Sequence, residues 1–192
     1  MTSSKKGSVI RFPNKKYKII SADPPWDYHS AWKRENSNSA GIWGLAQDHY
    51  NSMKIDDIKN LPVQDIADTD CFLFLWATFP QLQEALDVIK AWGFTYKTVA
   101  FTWVKKNRKN ENFMGMGWYT RANAEICLIA KKGKPKVLNH GIRQIIESIP
   151  EKHSKKPDIV RDKIIQLCGD IPRIELFARQ KTKGWDTWGN EV

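Results

Sequence analysis

Residues 17–26 read Tyr-Lys-Ile-Ile-Ser-Ala-Asp-Pro-Pro-Trp, and the fold is organised around this stretch. Ile19 and Ile20 lie in a short apolar run that is typical of a buried strand. The segment Asp23-Pro-Pro-Trp26 must end that strand, because proline has a fixed φ and no N–H to donate to a sheet. The sequence therefore predicts a stiff turn beyond the carboxyl end of a strand, where open α/β sheets bind their ligands.

The turn at residues 23–26 combines a carboxylate, a proline carbonyl and a flat aromatic face. Carboxylate and carbonyl oxygens accept hydrogen bonds, so Asp23 and Pro24 can take the two hydrogens of an exocyclic amine. Trp26 can stack on the ring that carries the amine. A tetrapeptide alone is a weak signal, and a Pro-Pro turn with a solvated aspartate and a packed tryptophan has the same sequence. Features elsewhere in the chain separate these two interpretations.

Apolar runs and helical periods alternate along the rest of the chain. Strands are predicted around Ile19 and Ile20 and over 71–77, 96–104, 124–130, 142–149 and 173–179. Helices are predicted over 55–61, 80–92 and 157–169. This alternation indicates an α/β fold with a doubly wound, mostly parallel sheet. No repeat or linker divides the sequence, so residues 1–192 are predicted to form one domain, with 1–16 as a flexible N-terminal segment.

The chain carries an excess of basic residues. Its 192 residues include 31 Lys and Arg against 21 Asp and Glu, which gives a formal net charge of +10. Such a charge indicates a polyanionic partner, with nucleic acid as the first candidate and a membrane surface as a weak second. Surplus charge that serves only solubility is the alternative.

Cysteine and histidine usage points to a reduced, metal-free protein. Cys71, Cys127 and Cys168 lie far apart in or beside apolar runs, which is typical of reduced core cysteines in a cytoplasmic protein. The four histidines show no zinc spacing, so no metal site is predicted. The polar N-terminal residues and the absence of a long apolar stretch predict neither a signal peptide nor a membrane segment.

Two irregular stretches, at 27–51 and 105–123, are rich in basic and aromatic residues. Connections of this length are often functional, and aromatic rings among cations suit stacking on bases and contact with phosphates. The same residues can instead anchor a loop or form a solvated face. The candidates for nucleic-acid binding are Tyr28, Lys33, Arg34, Tyr50, Lys105, Lys106, Arg108, Trp118 and Arg121.

Further polar groups lie just beyond predicted strand or helix ends. A helix start preceded by Ser154, Lys155 and Lys156 favours an anion, through charge and through the helix dipole. Arg179 ends a predicted strand, and the pair Asn190-Glu191 offers amide and carboxylate groups for ribose hydroxyls. No G-x-G-x-x-G motif is present, which argues against an ordinary dinucleotide site.

Together these segments resemble the Asp-Pro-Pro-Trp (MT-A70-like) group of S-adenosylmethionine-dependent adenine N6-methyltransferases, in its compact phage and bacterial form. The matching segments, in the family's order, are Ala22-Asp-Pro-Pro-Trp26, Phe72-Leu-Phe-Leu-Trp76, Phe101-Thr-Trp-Val-Lys105, Glu125 before an apolar run, His153-Ser-Lys-Lys-Pro-Asp158, Ile174-Glu-Leu-Phe-Ala-Arg179 and Gly184-Trp-Asp-Thr-Trp-Gly-Asn-Glu191. Each segment alone is weak, but seven in order across residues 17–191 are a specific signal.

The resemblance implies a Rossmann-like methyltransferase fold with a permuted motif order, in which the catalytic motif precedes the cofactor-binding half. It implies that Asp23, Pro24 and Pro25 hold the target amine and that Trp26 lies against the base. The cofactor is then S-adenosyl-L-methionine. Its candidate contacts, including the anion site at the helix start, are Asp23, Ser154, Lys156, Phe177, Arg179, Asn190 and Glu191.

The favoured interpretation is methyl transfer to the N6 amine of adenine in DNA, with the base flipped out of the stack. The compact chain, which lacks an added RNA-binding module, favours DNA over RNA. Two other classes stay open: a catalytically silent, nucleic-acid-binding partner subunit, and a methyltransferase for another planar amine such as cytosine N4 or a protein amide. A chain of this size is also expected to work as a homodimer or with a partner subunit.

Overall fold

The computed structural model, which describes residues 11–27, 52–115, 117, 119–151 and 155–192, contains a seven-strand sheet in the order β5-β3-β4-β2-β1-β6-β7. The strands are β1 (Tyr17–Ala22), β2 (Ala67–Ala77), β3 (Thr95–Lys105), β4 (Ala124–Lys132), β5 (Ile145–Ser148), β6 (Arg173–Leu176) and β7 (Asp186–Trp188). The helices in the same residues are α1 (Ile55–Lys59), α2 (Leu82–Ala91) and α3 (Ile159–Cys168), with 3-10 turns at Val63–Asp65 and Phe79–Gln81.

Strand direction makes the sheet mixed. Of the strands described, β4 runs antiparallel to both of its neighbours, and every other pair is parallel. The predicted α/β class with a mostly parallel sheet is confirmed. The reversed direction of β4 could not be predicted, because a strand buried on both faces shows the same apolar run in either direction. The start of β4 therefore lies at the edge where the other strands end, which we call the carboxyl edge.

Different helices cover the two faces of the sheet. Leu73 and Leu75 of β2 belong to one apolar core with residues of α1 and α2, whereas Phe72 and Phe74 belong to a second core with residues of α3. This alternation is the two-residue period of a strand, and residues 71–77 are all buried, as their continuous apolar run predicts. The three predicted core cysteines are buried and unpaired.

The C-terminal strands differ from the prediction. The strand predicted over 173–179 ends at Leu176, because Phe177 leaves the extended conformation with a φ of 59°. A further strand, β7, pairs with β6 and places Trp188 opposite Leu176. Three residues are too few to show a period in sequence, so only the pairing reveals this strand.

The connections that follow β1 and β6 lead to opposite sides of the sheet, which leaves a crevice between the ends of these two strands. After β1 the chain continues to β2 on one side, and after β6 it continues to β7 on the other side. Ligands of open α/β sheets bind at such a switch point, outside the carboxyl ends of the strands. Asp23 follows β1 and Phe177 follows β6, so the early and late motifs meet there. Within the described residues, no helix combines the length and apolar character needed to cross a membrane.

Candidate active site

The turn at residues 23–26 leaves β1 at the carboxyl edge, as predicted. The Trp26 N–H donates to the Pro24 carbonyl at 2.9 Å, and the Met53 N–H donates to the Pro25 carbonyl at 2.8 Å. These bonds fix both proline carbonyls although neither proline has an N–H to contribute. The Pro24 carbonyl already has one donor, so its second lone pair is what it can offer to an amine.

Trp26 lies in the core, which differs from the exposed aromatic face expected from the sequence. Only 6% of the residue is exposed, and its Nε1–H donates to the Trp76 carbonyl at 3.1 Å. A buried indole N–H needs an acceptor, and the end of β2 provides one. In this structure Trp26 ties the turn to the neighbouring strand, as the packed-tryptophan interpretation predicts.

Four charged side chains meet at the carboxyl edge. Lys156 Nζ lies 2.9 Å from Asp23 Oδ2 and 3.2 Å from Glu125 Oε2. Lys105 Nζ donates to Glu125 Oε1. We call Asp23, Lys105, Glu125 and Lys156 the charge cluster. Their side chains are between 9% and 23% exposed, so each charge depends on its partners more than on water.

Glu125 and Lys156 of the charge cluster are held in their ionised forms by their partners. Burial opposes the charge on Glu125, but the Lys156 and Lys105 ammonium groups outweigh it and hold the pKa of Glu125 below its usual range. Burial also opposes the charge on Lys156, but Asp23 and Glu125 outweigh it and raise the pKa of Lys156. The opposite charges of Glu125 and Lys156 therefore stabilise each other despite their burial.

Glu125 was not among the predicted site residues, yet it connects both lysines of the charge cluster. The signal that could have revealed it is an acidic residue within the apolar run of β4. Glutamate is almost never fully buried unless it is paired, so its presence in a core strand indicates a cationic partner.

Of the described basic residues predicted to contact nucleic acid, two form ion pairs and two are exposed. Lys105 belongs to the charge cluster, and its Nζ lies 5.0 Å from the centre of the Trp103 ring. Lys106 Nζ pairs with Glu147 Oε1 at 3.0 Å. Arg108 and Arg121 are exposed. The other candidates for nucleic-acid binding, Tyr28, Lys33, Arg34, Tyr50 and Trp118, lie outside the described part of the chain, as does the predicted cofactor contact Ser154.

The residues predicted to contact the adenosine part of the cofactor, Phe177, Arg179, Asn190 and Glu191, lie where β6 and β7 end. The Ala178 N–H donates to the Trp188 carbonyl at 3.0 Å, and a side chain at Gly189 would collide with the Ala178 backbone. These contacts hold the two strand ends side by side, which places Phe177 and Arg179 next to the C-terminal residues. The exposed pair Asn190-Glu191 follows directly.

The sequence of the chain is similar to those of known proteins. The MT-A70 family model matches residues 17–191. The chain is 36% identical to the Type II methyltransferase M.MunI of Mycoplasma sp, over 95% of this chain and 80% of that protein. It is 28% identical to the human N(6)-adenosine-methyltransferase catalytic subunit METTL3, over 92% of this chain but 28% of that protein. A Drosophila melanogaster N(6)-adenosine-methyltransferase MT-A70-like protein is 29% identical, with 27% of its length covered.

Proposed function

The chain belongs to the MT-A70 family, and on that premise we propose that it methylates the N6 amine of adenine in DNA, with S-adenosylmethionine as the methyl donor. The observation that carries this proposal is Asp23, held by Lys156 in a Pro-Pro turn beside the switch point of the sheet. The match over most of a Type II methyltransferase, and over about a quarter of the N(6)-adenosine-methyltransferases, favours DNA over RNA.

The residues at the carboxyl edge fit this cofactor. The methionine part of S-adenosylmethionine carries an ammonium and a carboxylate, and the charge cluster offers a carboxylate at Asp23 and an ammonium at Lys156. The adenosine part needs an apolar wall and acceptors for its hydroxyl groups, which Phe177 and the Asn190-Glu191 pair can provide. When bound, the cofactor supplies a methyl group whose bond to sulfur breaks as its bond to the adenine N6 forms.

Asp23 and Pro24 orient and activate the amine. The exocyclic amine of adenine is a poor nucleophile, because its lone pair is delocalised into the ring. Accepting both N–H groups at the Asp23 carboxylate and the Pro24 carbonyl favours a pyramidal nitrogen and releases that lone pair. Holding two reactants in line contributes about 7–11 kcal/mol. The product ammonium loses its proton after transfer, so Asp23 acts by orientation and need not be a strong base.

Lys156 and Glu125 orient Asp23 for this task. Lys156 binds Asp23 Oδ2, and Glu125 holds Lys156 in turn. In the described part of the chain, Asp23 Oδ1 has no hydrogen-bond partner and can accept one from the amine. Lys156 and Glu125 therefore act as positioning residues for the carboxylate that touches the substrate.

A turn at residues 107–111 presents cations next to this edge. Asn107 Oδ1 accepts the backbone N–H groups of Lys109 and Glu111, each at 2.9 Å, and Asn107 Nδ2 donates to Glu111 Oε2 at 3.0 Å. Arg108 and Lys109 are exposed, and neither pairs with an acidic side chain among the residues described. The turn is thus preformed to contact the phosphates of the nucleic acid.

Removing both cations of this turn by Arg108→Ala with Lys109→Ala is expected to weaken DNA binding about tenfold at 0.1 M salt. The negative slope of log K against log salt becomes shallower by about one for each lost phosphate contact, so its magnitude should decrease by about two. Titration of labelled duplex DNA at several salt concentrations measures both quantities.

The matched control is Lys90→Ala with Lys97→Ala, which removes the same charge from exposed sites near the start of β3, at the opposite sheet edge. This control should leave the slope almost unchanged. Equal losses in the two double variants would show that net charge, and not the turn, determines binding.

The test of the proposed function is transfer of labelled methyl groups to duplex DNA, single-stranded DNA and RNA, followed by nucleoside mass analysis. We expect N6-methyladenine from DNA. Product from RNA alone would reverse the substrate assignment, and N4-methylcytosine would identify a different amine. If wild-type protein binds no S-adenosylmethionine in calorimetry, the chain is a silent subunit. Binding without transfer would indicate that a homodimer, a partner subunit or a narrow recognition sequence is needed.

A further inference from the structure

Residues 12–16, which lie in the segment predicted to be flexible, contact β7 at both of its ends. The Phe12 ring centre lies 4.5 Å from that of Trp188, the last residue of β7. Lys15 Nζ pairs with Oδ2 of Asp186, the first residue of β7, at 2.8 Å. The Tyr17 hydroxyl donates to the same oxygen at 2.8 Å. Residues 12–16 therefore run alongside β7, and we call them the strap.

Trp188 contacts Phe177, whose backbone conformation is unfavourable. Phe177 has a φ of 59°, in the left-handed region that bulky side chains rarely adopt. Such a conformation persists only where surrounding contacts enforce it, and it is often found at functional sites. Here the Ala178 N–H donates to the Trp188 carbonyl at 3.0 Å. The Trp188 ring also meets the Phe177 ring edge-on, with 5.5 Å between ring centres.

We propose that Phe12 is a positioning residue for the cofactor, because it packs on Trp188, which in turn holds Phe177 against the adenosine part. The inference rests on the proposed function, since it takes Phe177 as a wall of the cofactor site. Phe12 is half-buried and has no polar side-chain group, so its contribution is aromatic packing. The pair of Lys15 with Asp186 fixes the other end of the strap.

Calorimetry of S-adenosylmethionine binding to the full chain tests this proposal. Phe12→Ala should raise the dissociation constant about tenfold, as expected for loss of an aromatic pair and the support behind it. Phe12→Leu keeps apolar volume and should lie between wild type and Phe12→Ala. Phe79→Ala is the matched control, because Phe79 is 53% exposed and lies at the start of a 3-10 turn away from β7.

A kinetic measurement separates positioning from a general loss of structure. The KM for the cofactor should rise with its dissociation constant in Phe12→Ala. The kcat at saturating cofactor and the KM for DNA should stay within about twofold of wild type, because the charge cluster and the turn at residues 107–111 are unchanged. A fall in kcat with an unchanged cofactor KM would overturn the proposal.

The outcomes distinguish this inference from the proposed function. An unchanged cofactor dissociation constant in a folded Phe12→Ala protein would overturn the role of Phe12. If circular dichroism shows that Phe12→Ala is unfolded, Phe12→Leu decides, and wild-type affinity in that variant would overturn the role. Failure of the wild-type chain itself to bind the cofactor would instead overturn the proposed function.

Discussion

Asp23→Ala will lower methyl transfer by about a hundredfold to a thousandfold, as removal of one catalytic hydrogen-bond partner does in other enzymes. The variant loses one of the two acceptors that orient the target amine and the carboxylate nearest the cofactor's ammonium group. The fold should survive, because the Asp23 side chain is 23% exposed and Lys156 keeps its pairing with Glu125. The measurement is the initial rate of labelled methyl transfer to DNA, with N6-methyladenine identified after digestion.

Asp170→Ala is the matched control for this variant, because Asp170 also pairs with a cation but is 82% exposed and precedes β6, away from the carboxyl edge. It should transfer methyl groups at nearly the wild-type rate. Asp23→Asn keeps an oxygen acceptor without the charge, so its rate should fall between those of Asp23→Ala and wild type. Activity of Asp23→Ala within tenfold of wild type would contradict the proposed mechanism.

The second large effect is expected at Glu125. Glu125→Gln should lower the free energy of unfolding by about 3 kcal/mol, because both lysines of the charge cluster lose a buried counterion. Methyl transfer should also fall at least about tenfold, since Lys156 loses the group that aligns it with Asp23. Urea unfolding at pH 7 and initial rates under folded conditions measure the two effects.

Glu147→Gln provides the comparison for Glu125→Gln. Glu147 pairs with Lys106 at 3.0 Å, but its side chain is 55% exposed. Exposed pairs contribute little, so this variant should lose less than about 1 kcal/mol. Equal losses at the two positions would show that burial of the charge cluster does not determine its stability.

The pH dependence of the Glu125 effect has a definite sign. The pKa of Glu125 in the folded chain lies below its usual value, so its stabilising contribution is complete above the unfolded value of about 4.3. That contribution is lost as the pH falls through the folded pKa. The difference in unfolding free energy between wild type and Glu125→Gln should therefore shrink from pH 7 to pH 3. A difference that stays constant over this range would contradict the assigned cause.

The sequence by itself determined the α/β class, most strand and helix positions and the location of the Asp23 turn. These features depend on local chemistry: apolar runs form buried strands, and prolines or glycines end them. The order of family-like segments also predicted the MT-A70 membership that the comparisons established. The tetrapeptide Asp23-Pro-Pro-Trp26 was compatible with both a stacking and a packed Trp26, and it did not favour one of them.

Only the tertiary structure decided which residues meet. Asp23 and Lys156 are 133 residues apart in sequence, and Glu125 joins Lys156 to Lys105 because β4 runs opposite to its neighbours. Trp26 packs in the apolar core, and the carbonyl at the end of β2 accepts the hydrogen bond that its buried indole N–H requires. Pairings of this kind depend on the order and direction of the strands, and neither can be predicted from an apolar run in the sequence.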